Sequence, residues 1–427
     1  MNREGFWAPL AYPDYARLWS GFLVSHVGDA IQMHAQAWLV TELTHSGLKL
    51  GGVVLAQAIP RLVFGVFAGV IVDRVDRRRL LIWTQTLAMV QSVLFFALVA
   101  THRITYPMII VLAAALGTFD TLNLNARITL MPMLVPPALI PRSIAMTAVS
   151  VNVVQIAGPT LAAILIGSTG IPGCLAANAL TFLVALVSLV RTPNAPGSSH
   201  QVGATFGDEL REGFAFARAR TIVWASIALC YAIGLFGMSV NRLIALYASV
   251  VLHTDGRGYA FLATAMGVGA LGASLLVTAR AKPSQLPRNI VLSAVAFSLS
   301  ILVLARMRSY LPAFVALIAF GAGQMASRSA VTTTIQTVTP NRLRGRVTSL
   351  LTLDFSLWSV GAIALGWLAD RVAGSRVGLA APRAVHDAAL AWSLHWIFVG
   401  AGLVCFVVSL ALGAVILRAR VEPHVAS

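Results

Sequence analysis

The sequence predicts an all-α membrane protein with twelve transmembrane helices in two pseudo-symmetric six-helix halves. Hydrophobic residues make up 58% of the 427 positions and charged residues only 11%, whereas soluble domains carry about 25% charged residues. The apolar residues are grouped into segments of about 20 residues or more, which is the length that a helix needs to cross a bilayer. Little sequence remains for a soluble domain, so we expect an integral membrane protein.

Twelve apolar segments follow one another along the chain, and most are separated by short links rich in Arg, Pro or Gly. Each segment is long enough to cross the bilayer as a helix. The predicted spans are 18–42, 48–72, 80–101, 106–127, 143–167, 172–191, 221–251, 258–279, 288–305, 311–338, 346–370 and 389–417.

The link at 192–220 is longer than the others and divides the chain. It begins with Pro, Gly and Ser residues typical of a flexible linker. It continues with apolar and charged residues in the pattern of an interfacial helix. We therefore expect an N-terminal half at 1–191, a cytoplasmic linker at 192–220 and a C-terminal half at 221–427. A weak repeat at an offset of 204 aligns Gly117, Asp120, Asn123, Pro136 and Arg142 with Gly321, Gln324, Ser327, Pro340 and Arg346.

The basic residues predict the orientation, because cytoplasmic loops of membrane proteins are enriched in Lys and Arg. With the N-terminus in the cytoplasm, 20 of the 31 Lys and Arg residues fall on the cytoplasmic side and 8 on the outer side. Both termini are therefore predicted to be cytoplasmic. The residues before the first span lack the apolar core and cleavage site of a signal peptide, so we expect this span to be retained.

The composition also argues against several function classes. The net charge of +16 comes from short clusters between spans, and no basic domain is present to bind nucleic acid. The three cysteines are isolated in apolar stretches, so we expect neither a disulfide framework nor a metal site. No phosphate-binding loop or catalytic nucleophile motif occurs, so we expect no enzyme. The Gly-x-Gly-x-x-Gly match at 267–272 lies inside a span and predicts close helix packing.

The link after the second span carries a specific motif. It reads Gly-Val-Ile-Val-Asp-Arg-Val-Asp-Arg-Arg-Arg from Gly69 to Arg79 and closely resembles the signature cytoplasmic loop of the major facilitator superfamily. Further matches are Gly28-Asp29, the segment from Trp38 to Thr44, Pro60 and Arg344-Gly345-Arg346-Val347. Together they are similar to the bacterial transmembrane secretion effector branch, which includes enterobactin and macrolide exporters. The resemblance implies the major facilitator fold, in which spans 1, 4, 7 and 10 line a central cavity.

The signature loop is expected to form a cytoplasmic gate. Gly69 permits close helix approach, and Asp73 can face the positive N-terminal end of the eleventh span near Arg346. Arg74 and Arg77 can pair with the acids of the loop. The alternative is a cluster of positive charges that only sets orientation, although that role does not require the interleaved acids.

Away from their ends, the predicted spans contain six residues that are ionised at neutral pH: Asp29, Arg61, Asp120, Arg242, Arg328 and Asp354. Each costs about 2.5–3.5 kcal/mol at mid-bilayer, so each is expected to face a partner or a wet cavity. His26 can touch Asp29 on one helix face, and Asp29 and Arg61 fall at similar depth on neighbouring spans. We predict proton coupling at Asp29, with His26 and Arg61 as its partners, and Asp120 is the second candidate proton carrier. For His26 alone, a hydrogen bond that only stabilises helix packing is the stronger interpretation.

Polar side chains recur on one face of the spans that the resemblance places around the cavity. The stripe on the first span recurs at helical spacing and includes Asp29, and the stripe on the tenth repeats every four residues. The candidate substrate-cavity residues are Gln32, Gln36, Asn123, Asn241, Arg242, Gln324, Arg328 and Asp354. Arg242 and Arg328 would suit an anionic or carbonyl-rich substrate. Alternatively, they tether helix-end carbonyls or Asp354, and both interpretations stay open.

The sequence therefore predicts a secondary transporter of the bacterial inner membrane that exports a small organic molecule, such as a drug, siderophore or secondary metabolite, by proton antiport. We expect no cofactor, since the proton-motive force supplies the energy, and no metal. The expected partners are the lipid bilayer, the substrate and protons, with no nucleic acid, and the chain is expected to act as a monomer. Two alternatives are a uniporter or importer without proton coupling, and a non-transporting sensor or scaffold.

Overall fold

A computed structural model describes residues 5–192, 206–280, 285–340, 343–352, 354–377 and 382–418. Within these ranges the chain forms helices joined by short turns, and it forms no β-strand. Contacts between residues divide the chain into two compact units, Met1–Leu43 with Leu55–Val202 and Thr44–Val54 with Gly203–Ser427. The predicted division at 1–191, 192–220 and 221–427 stays a prediction, and residues 193–205 of its linker lie outside the described ranges.

The first unit is built mainly from five long helices. They are α1 (Pro13–Thr44), α2 (Gly47–Arg74), α3 (Arg77–Ala100), α4 (Tyr106–Leu130) and α5 (Ile140–Val190). The first residues of α2 group with the second unit. Inside α5, Gly170 has φ 74° and ψ −172°, which interrupts the helix. Glycine adopts this left-handed φ without a steric penalty. Two helices therefore meet at Gly170, and they correspond to the predicted fifth and sixth spans.

The second unit begins with the amphipathic helix α6 and continues through the remaining spans. Its helices are α6 (Phe206–Ala219), α7 (Thr221–Ala232), a π-helix (Ile233–Met238), α8 (Ser239–Arg242), α9 (Ile244–Val250), α10 (Gly256–Arg280), α11 (Leu286–Arg306), α12 (Tyr310–Val338), α13 (Arg344–Thr352), α14 (Asp354–Val377) and α15 (Arg383–Arg418). The seventh predicted span therefore consists of several short helical pieces, and the eleventh consists of α13 and α14.

The helices of the described ranges account for all twelve predicted spans. Among the described residues, nine helical runs are long and apolar enough on their own to cross a membrane, and one of these, Pro137–Val190, contains two predicted spans. The prediction of an all-α membrane protein is confirmed.

Apolar side chains lie both inside each unit and on its outer faces, as expected for helices that contact protein on one side and lipid on the other. In the first unit, Tyr15, Leu18 and Phe22 of α1 are buried in one cluster with Leu81 and Met146. In the second unit, the rings of Phe297 and Phe320 pack with centroids 4.9 Å apart. Large apolar residues on the outer faces stay exposed, including Trp83, Val111 and Leu311. A bilayer covers such surfaces, so their exposure is consistent with a membrane-spanning fold.

The glycines at 267–272 lie in α10, and one of them, Gly269, serves helix packing, as the sequence predicted. A Cβ atom on Gly269 would collide with the Ile318 carbonyl of α12, and one on Gly321 would collide with the backbone of Met266. The absence of side chains lets α10 and α12 approach closely, which is a common way to pack helices in membranes.

Replacing Gly269 with alanine is expected to destabilise the protein by about 2 kcal/mol, because the added methyl group meets backbone atoms that cannot rotate away. The thermal unfolding midpoint in detergent measures this effect. Gly272→Ala is the matched control, since nothing lies within 4 Å of its Cβ position on the same helix. Equal midpoints for the two variants would contradict the packing argument.

Candidate functional site

Asp29 of α1 lies at a small polar cavity in the first unit. The cavity has a volume of about 10 Å³, close to the smallest space that holds one water molecule. It is lined by polar side chains of three helices, including Ser25, Thr84, Gln85, Asp120 and Asn123. Asp29 Oδ1 is buried and has no hydrogen-bond partner among the described residues. The carboxyl also lies within electrostatic range of Asp120 and Arg127.

Arg61 pairs with Asp120 and not with Asp29. Arg61 Nη2 donates to Asp120 Oδ2 at 3.1 Å, and both side chains are about half exposed. The expected Asp29–Arg61 pair is therefore wrong. Similar depth on two neighbouring spans did not determine which carboxylate Arg61 faces.

His26 contacts Arg127 of α4. His26 and Asp29 also line the same small cavity, and the expected contact between them stays a prediction. His26 Nδ1 lies 2.7 Å from the Phe22 carbonyl oxygen, and Arg127 Nη1 contacts Nε2 and lies 3.0 Å from Nδ1. Because a carbonyl oxygen can only accept, Nδ1 donates its proton to Phe22. Arg127 also lies over the Phe22 ring, 5.3 Å from its centroid.

Several predicted substrate contacts are hydrogen-bonded within the first unit. Gln32 Oε1 accepts from Ser92 Oγ at 3.0 Å and from Asn178 Nδ2 at 2.9 Å. Asn123 Nδ2 donates to Thr84 Oγ1 at 3.3 Å. Gln36 is buried as well, with 3% of its surface exposed. These bonds tie α1, α3, α4 and α5 together, and substrate contact by these residues stays a prediction.

The second unit contains an ion pair between α12 and α14 in which the carboxylate is buried and the guanidinium is partly exposed. Arg328 Nη1 donates to Asp354 Oδ2 at 3.0 Å, and Asp354 is only 2% exposed. The Arg328 guanidinium also lies 5.4 Å from the ring centroid of Trp358. Gln324, Ser327 and Cys230 line a cavity beside the pair. The structure shows the tether of Arg328 to Asp354, and substrate contact by Arg328 stays a prediction.

The π-helix at Ile233–Met238 lies against this pair. A Cβ atom on Gly234 would collide with Asp354 and Trp358, and one on Gly361 would collide with the Leu235 carbonyl. The π-helix therefore packs directly on the charged site, and such segments are frequent at functional sites. Asn241 and Arg242 follow in α8, where Arg242 lies within electrostatic range of the buried Tyr259.

The predicted cytoplasmic gate is described only in part. The side chains of Gly69, Asp73 and Arg74 lie outside the described residues, so their roles stay predictions. Arg77 Nη1 lies 3.1 Å from the sulfur of Met133. Arg346 of α13 forms an ion pair with Glu212 of α6.

The basic cluster of the signature loop also stabilises helix ends. Asp76 Oδ1 accepts from the Arg79 backbone N–H at 2.8 Å and caps the N-terminus of α3. Arg78 donates to the carbonyl oxygens of Leu189 and Val190 at 2.9 and 2.7 Å. These carbonyls end α5, where the helix dipole favours a positive charge. The sequence analysis missed this role because the two segments are more than 100 residues apart.

A carboxylate of α14 caps the N-terminus of α2 within the second unit. Asp370 accepts from Ser46 Oγ at 2.5 Å and from the backbone N–H groups of Gly47 and Leu48 at 2.9 and 3.0 Å. His45 Nδ1 lies 3.0 Å from Asp387 Oδ1. An acid at a helix N-terminus is stabilised by the dipole and by the unpaired N–H groups. No local pattern in the sequence indicated this contact.

Arg127 lies near Asp29 and was not among the predicted site residues. It stands at the end of the fourth predicted span, so it did not count as a charge inside a span. The available signal was its position seven residues after Asp120, which places both on one helix face.

Among the described residues, no group of three or more His, Cys, Asp or Glu side chains could hold a metal ion.

A family model for transmembrane secretion effectors matches residues 4–400. Macrolide efflux protein A of Streptococcus pyogenes is 28% identical over 234 residues, which cover 54% of this chain and 57% of that protein. The staphyloferrin A transporter of Staphylococcus aureus is 24% identical over 169 residues, which cover 39% of this chain and 42% of that protein. The chain thus matches less than two thirds of the length of these relatives.

Solved transporter structures share the fold. A bacterial homologue of the human lysosomal transporter Spinster, in an inward-facing and unoccupied conformation, has a TM-score of 0.76 at 15% identity and covers 96% of this chain and 99% of its own. A D-xylose–proton symporter has a TM-score of 0.66 at 14% identity, with 94% and 97% covered. These identities support the fold alone. The family model matches most of the chain and confirms the resemblance predicted from the signature loop: the protein belongs to the transmembrane secretion effector family, whose fold is that of the multi-pass membrane transporters.

Proposed function

We propose that this protein exports a small organic molecule across the bacterial inner membrane by proton antiport, through alternating access. The family description refers to secretion, and the two relatives are named for macrolide efflux and staphyloferrin A transport. A drug, a siderophore or another secondary metabolite is therefore the proposed substrate class. The distribution of Lys and Arg supports cytoplasmic termini.

The position of the Asp29 carboxyl carries the proposal of proton coupling. It combines a buried oxygen without a hydrogen-bond partner, a cavity the size of one water molecule and two charged neighbours of opposite sign. Asp120 opposes a second negative charge nearby, whereas Arg127 favours it. Asp29 can therefore alternate between a protonated and an ionised state, with water as the route to and from the carboxyl.

Proton binding at this position is able to influence conformation. It changes the charge of the cluster of Asp29, Asp120, Arg61 and Arg127 by one unit, and a charge inside a membrane protein is energetically expensive. A ligand shifts a two-state equilibrium by its difference in affinity for the two states. One proton crossing 100 mV supplies about 2.3 kcal/mol, enough to sustain a substrate gradient above tenfold.

Inverted membrane vesicles test the proposal. The vesicle interior is acidified by respiration, and a pH-sensitive dye reports the gradient while macrolides, siderophores and other hydrophobic compounds are added. We expect at least one compound to lower the gradient in vesicles with the protein and not in vesicles without it. An uncoupler should then abolish accumulation of the labelled compound.

The same assay separates the alternatives. Flux of the labelled compound that persists unchanged with the uncoupler would contradict antiport and support facilitated diffusion. No flux for any compound, with the protein folded and inserted, would contradict transport and support a sensor or scaffold.

A further inference from the structure

A groove in the first unit opens between α1, α4 and α5. Its volume is about 530 Å³, which is within the range of sites for small organic ligands, about 300–1,000 Å³. Apolar side chains form most of its walls, including Phe22, Leu23 and Met131. His26 lines both this groove and the small cavity at Asp29. The groove can therefore hold an apolar organic molecule next to the proposed proton site.

Two side chains that line the groove carry hydrogen-bond donors for a ligand. The hydrogen-bond contacts of Arg127 are both with His26 and involve only Nη1, whereas a guanidinium has five N–H donors. The Nε1 atom of Trp19 is buried and has no hydrogen-bond partner among the described residues. A buried indole N–H normally finds an acceptor. Both donors indicate a ligand that carries acceptor oxygens.

The charges around Arg127 favour an uncharged ligand. Asp29 and Asp120 both lie within electrostatic range of Arg127, and Arg61 pairs with Asp120. The formal charges of these two acids and two bases balance when Asp29 is ionised. An anion in the groove would be opposed by the two carboxylates. A cation would lie beside Arg127, and none of the described lining residues is acidic.

An uncharged ligand is also compatible with antiport. A carboxylate or phosphate bound at Arg127 would add a negative charge near Asp29 and favour its protonation, so that ligand and proton would bind together. Antiport requires the ligand and the proton to favour different states of the protein. An uncharged compound leaves the charge around Asp29 unchanged and avoids this conflict.

We propose that this groove binds the exported compound, and that the compound is uncharged, with an apolar body and a carbonyl or similar oxygen that accepts hydrogen bonds from Arg127 and Trp19. The identification of the ligand as the exported compound rests on the proposed function, whereas the ligand chemistry rests on the groove alone. These residues are additional to the predicted contacts Gln32 and Asn123, which are hydrogen-bonded to neighbouring helices.

Three probes with the same pyrene ring test the ligand chemistry: acetylpyrene, ethylpyrene and pyrenecarboxylate, each substituted at the same ring carbon. Equilibrium dialysis of the full chain in lipid nanodiscs measures their binding without a proton gradient, and empty nanodiscs serve as the blank. We expect Arg127→Met to weaken acetylpyrene binding by about tenfold, as the loss of a hydrogen bond from a charged donor would give. Ethylpyrene has no acceptor oxygen, so its binding should stay nearly the same.

Three further variants separate the hydrogen bonds from the apolar contact and from folding. Trp19→Phe keeps an aromatic ring and removes the N–H group, so acetylpyrene binding should weaken by about threefold. Thr147→Trp fills the groove and should reduce binding of acetylpyrene and ethylpyrene alike. Ile164→Trp is the matched control, because Ile164 is exposed on the same helix and is not among the lining residues. It should bind both probes like the wild type.

Three results would overturn the proposal. Equal losses of acetylpyrene and ethylpyrene binding in Arg127→Met would show that the groove recognises apolar surface alone, as a lipid chain offers. Tighter binding of pyrenecarboxylate than of acetylpyrene, at equal free concentration in water, would make the groove an anion site. Unchanged binding of both probes in Thr147→Trp would place them elsewhere on the protein.

The vesicle assay separates this inference from the proposed function. Normal export by Thr147→Trp would contradict the assignment of the groove and leave the export function in place. No export by the wild type, with acetylpyrene binding that depends on Arg127, would contradict export and keep the groove as a site for uncharged ligands.

Discussion

Asparagine in place of Asp29 is expected to lower proton-coupled transport by about 100-fold, a typical loss when a proton-transferring side chain is removed. Asparagine has nearly the shape of a protonated aspartic acid and cannot release a proton. Substrate binding should therefore be kept while transport driven by the gradient is lost. The dye assay in inverted vesicles measures the coupled flux, and equilibrium binding of the labelled compound measures the affinity.

Asp14→Asn is the matched control for this prediction. Asp14 lies in the first turn of the same helix and pairs with Arg17 at 3.4 Å, with both side chains substantially exposed. It should transport like the wild type. Coupled transport by Asp29→Asn at the wild-type rate would show that the proton is carried elsewhere, and Asp120 would be the next residue to replace.

Methionine in place of Arg328 is expected to destabilise the protein by about 3–5 kcal/mol, because it leaves the carboxylate of Asp354 buried without its ion-pair partner. The thermal unfolding midpoint in detergent should fall accordingly. The loss reflects mainly the uncompensated buried charge, since replacing a whole buried pair with apolar residues is often neutral.

The double variant Arg328→Met with Asp354→Leu separates the cost of an uncompensated buried charge from the loss of the ion pair itself. It removes both charges and keeps similar side-chain volume, so it should recover most of the stability lost in Arg328→Met. A double variant that is less stable than Arg328→Met would contradict this explanation. Transport by a stable double variant then reports whether the pair has a functional role, because its structural role has been replaced.

The helices were predictable because span length and hydropathy are local properties. The predicted spans lie within helices of the described ranges to within one or two residues. The fifth and sixth predicted spans lie in α5 on either side of Gly170, and the seventh and eleventh are each divided among shorter helices. The π-helix at Ile233–Met238 had no sequence signal. Its backbone depends on packing against Asp354 and Trp358, which lie more than 100 residues further along the chain.

The candidate site was predictable as a set of residues and not as a set of contacts. The polar stripe identified Asp29, and the cost of charge in a membrane identified Asp120, Arg61, Arg328 and Asp354. Periodicity shows which face of a helix a residue occupies, but it does not show which neighbour that face meets. The expected Asp29–Arg61 pair was therefore wrong, because Arg61 pairs with Asp120 beside Asp29.

By itself, the sequence determined the fold class, the spans and the family, because composition, segment length and the signature loop can each be read along the chain. Only the tertiary structure decided the partners of the charged residues. Arg61 and Asp120 are 59 residues apart, His26 and Arg127 are 101 apart, and Arg328 and Asp354 are 26 apart. A side chain in a membrane pairs with the group that helix packing brings within reach, and that packing is a property of the whole unit.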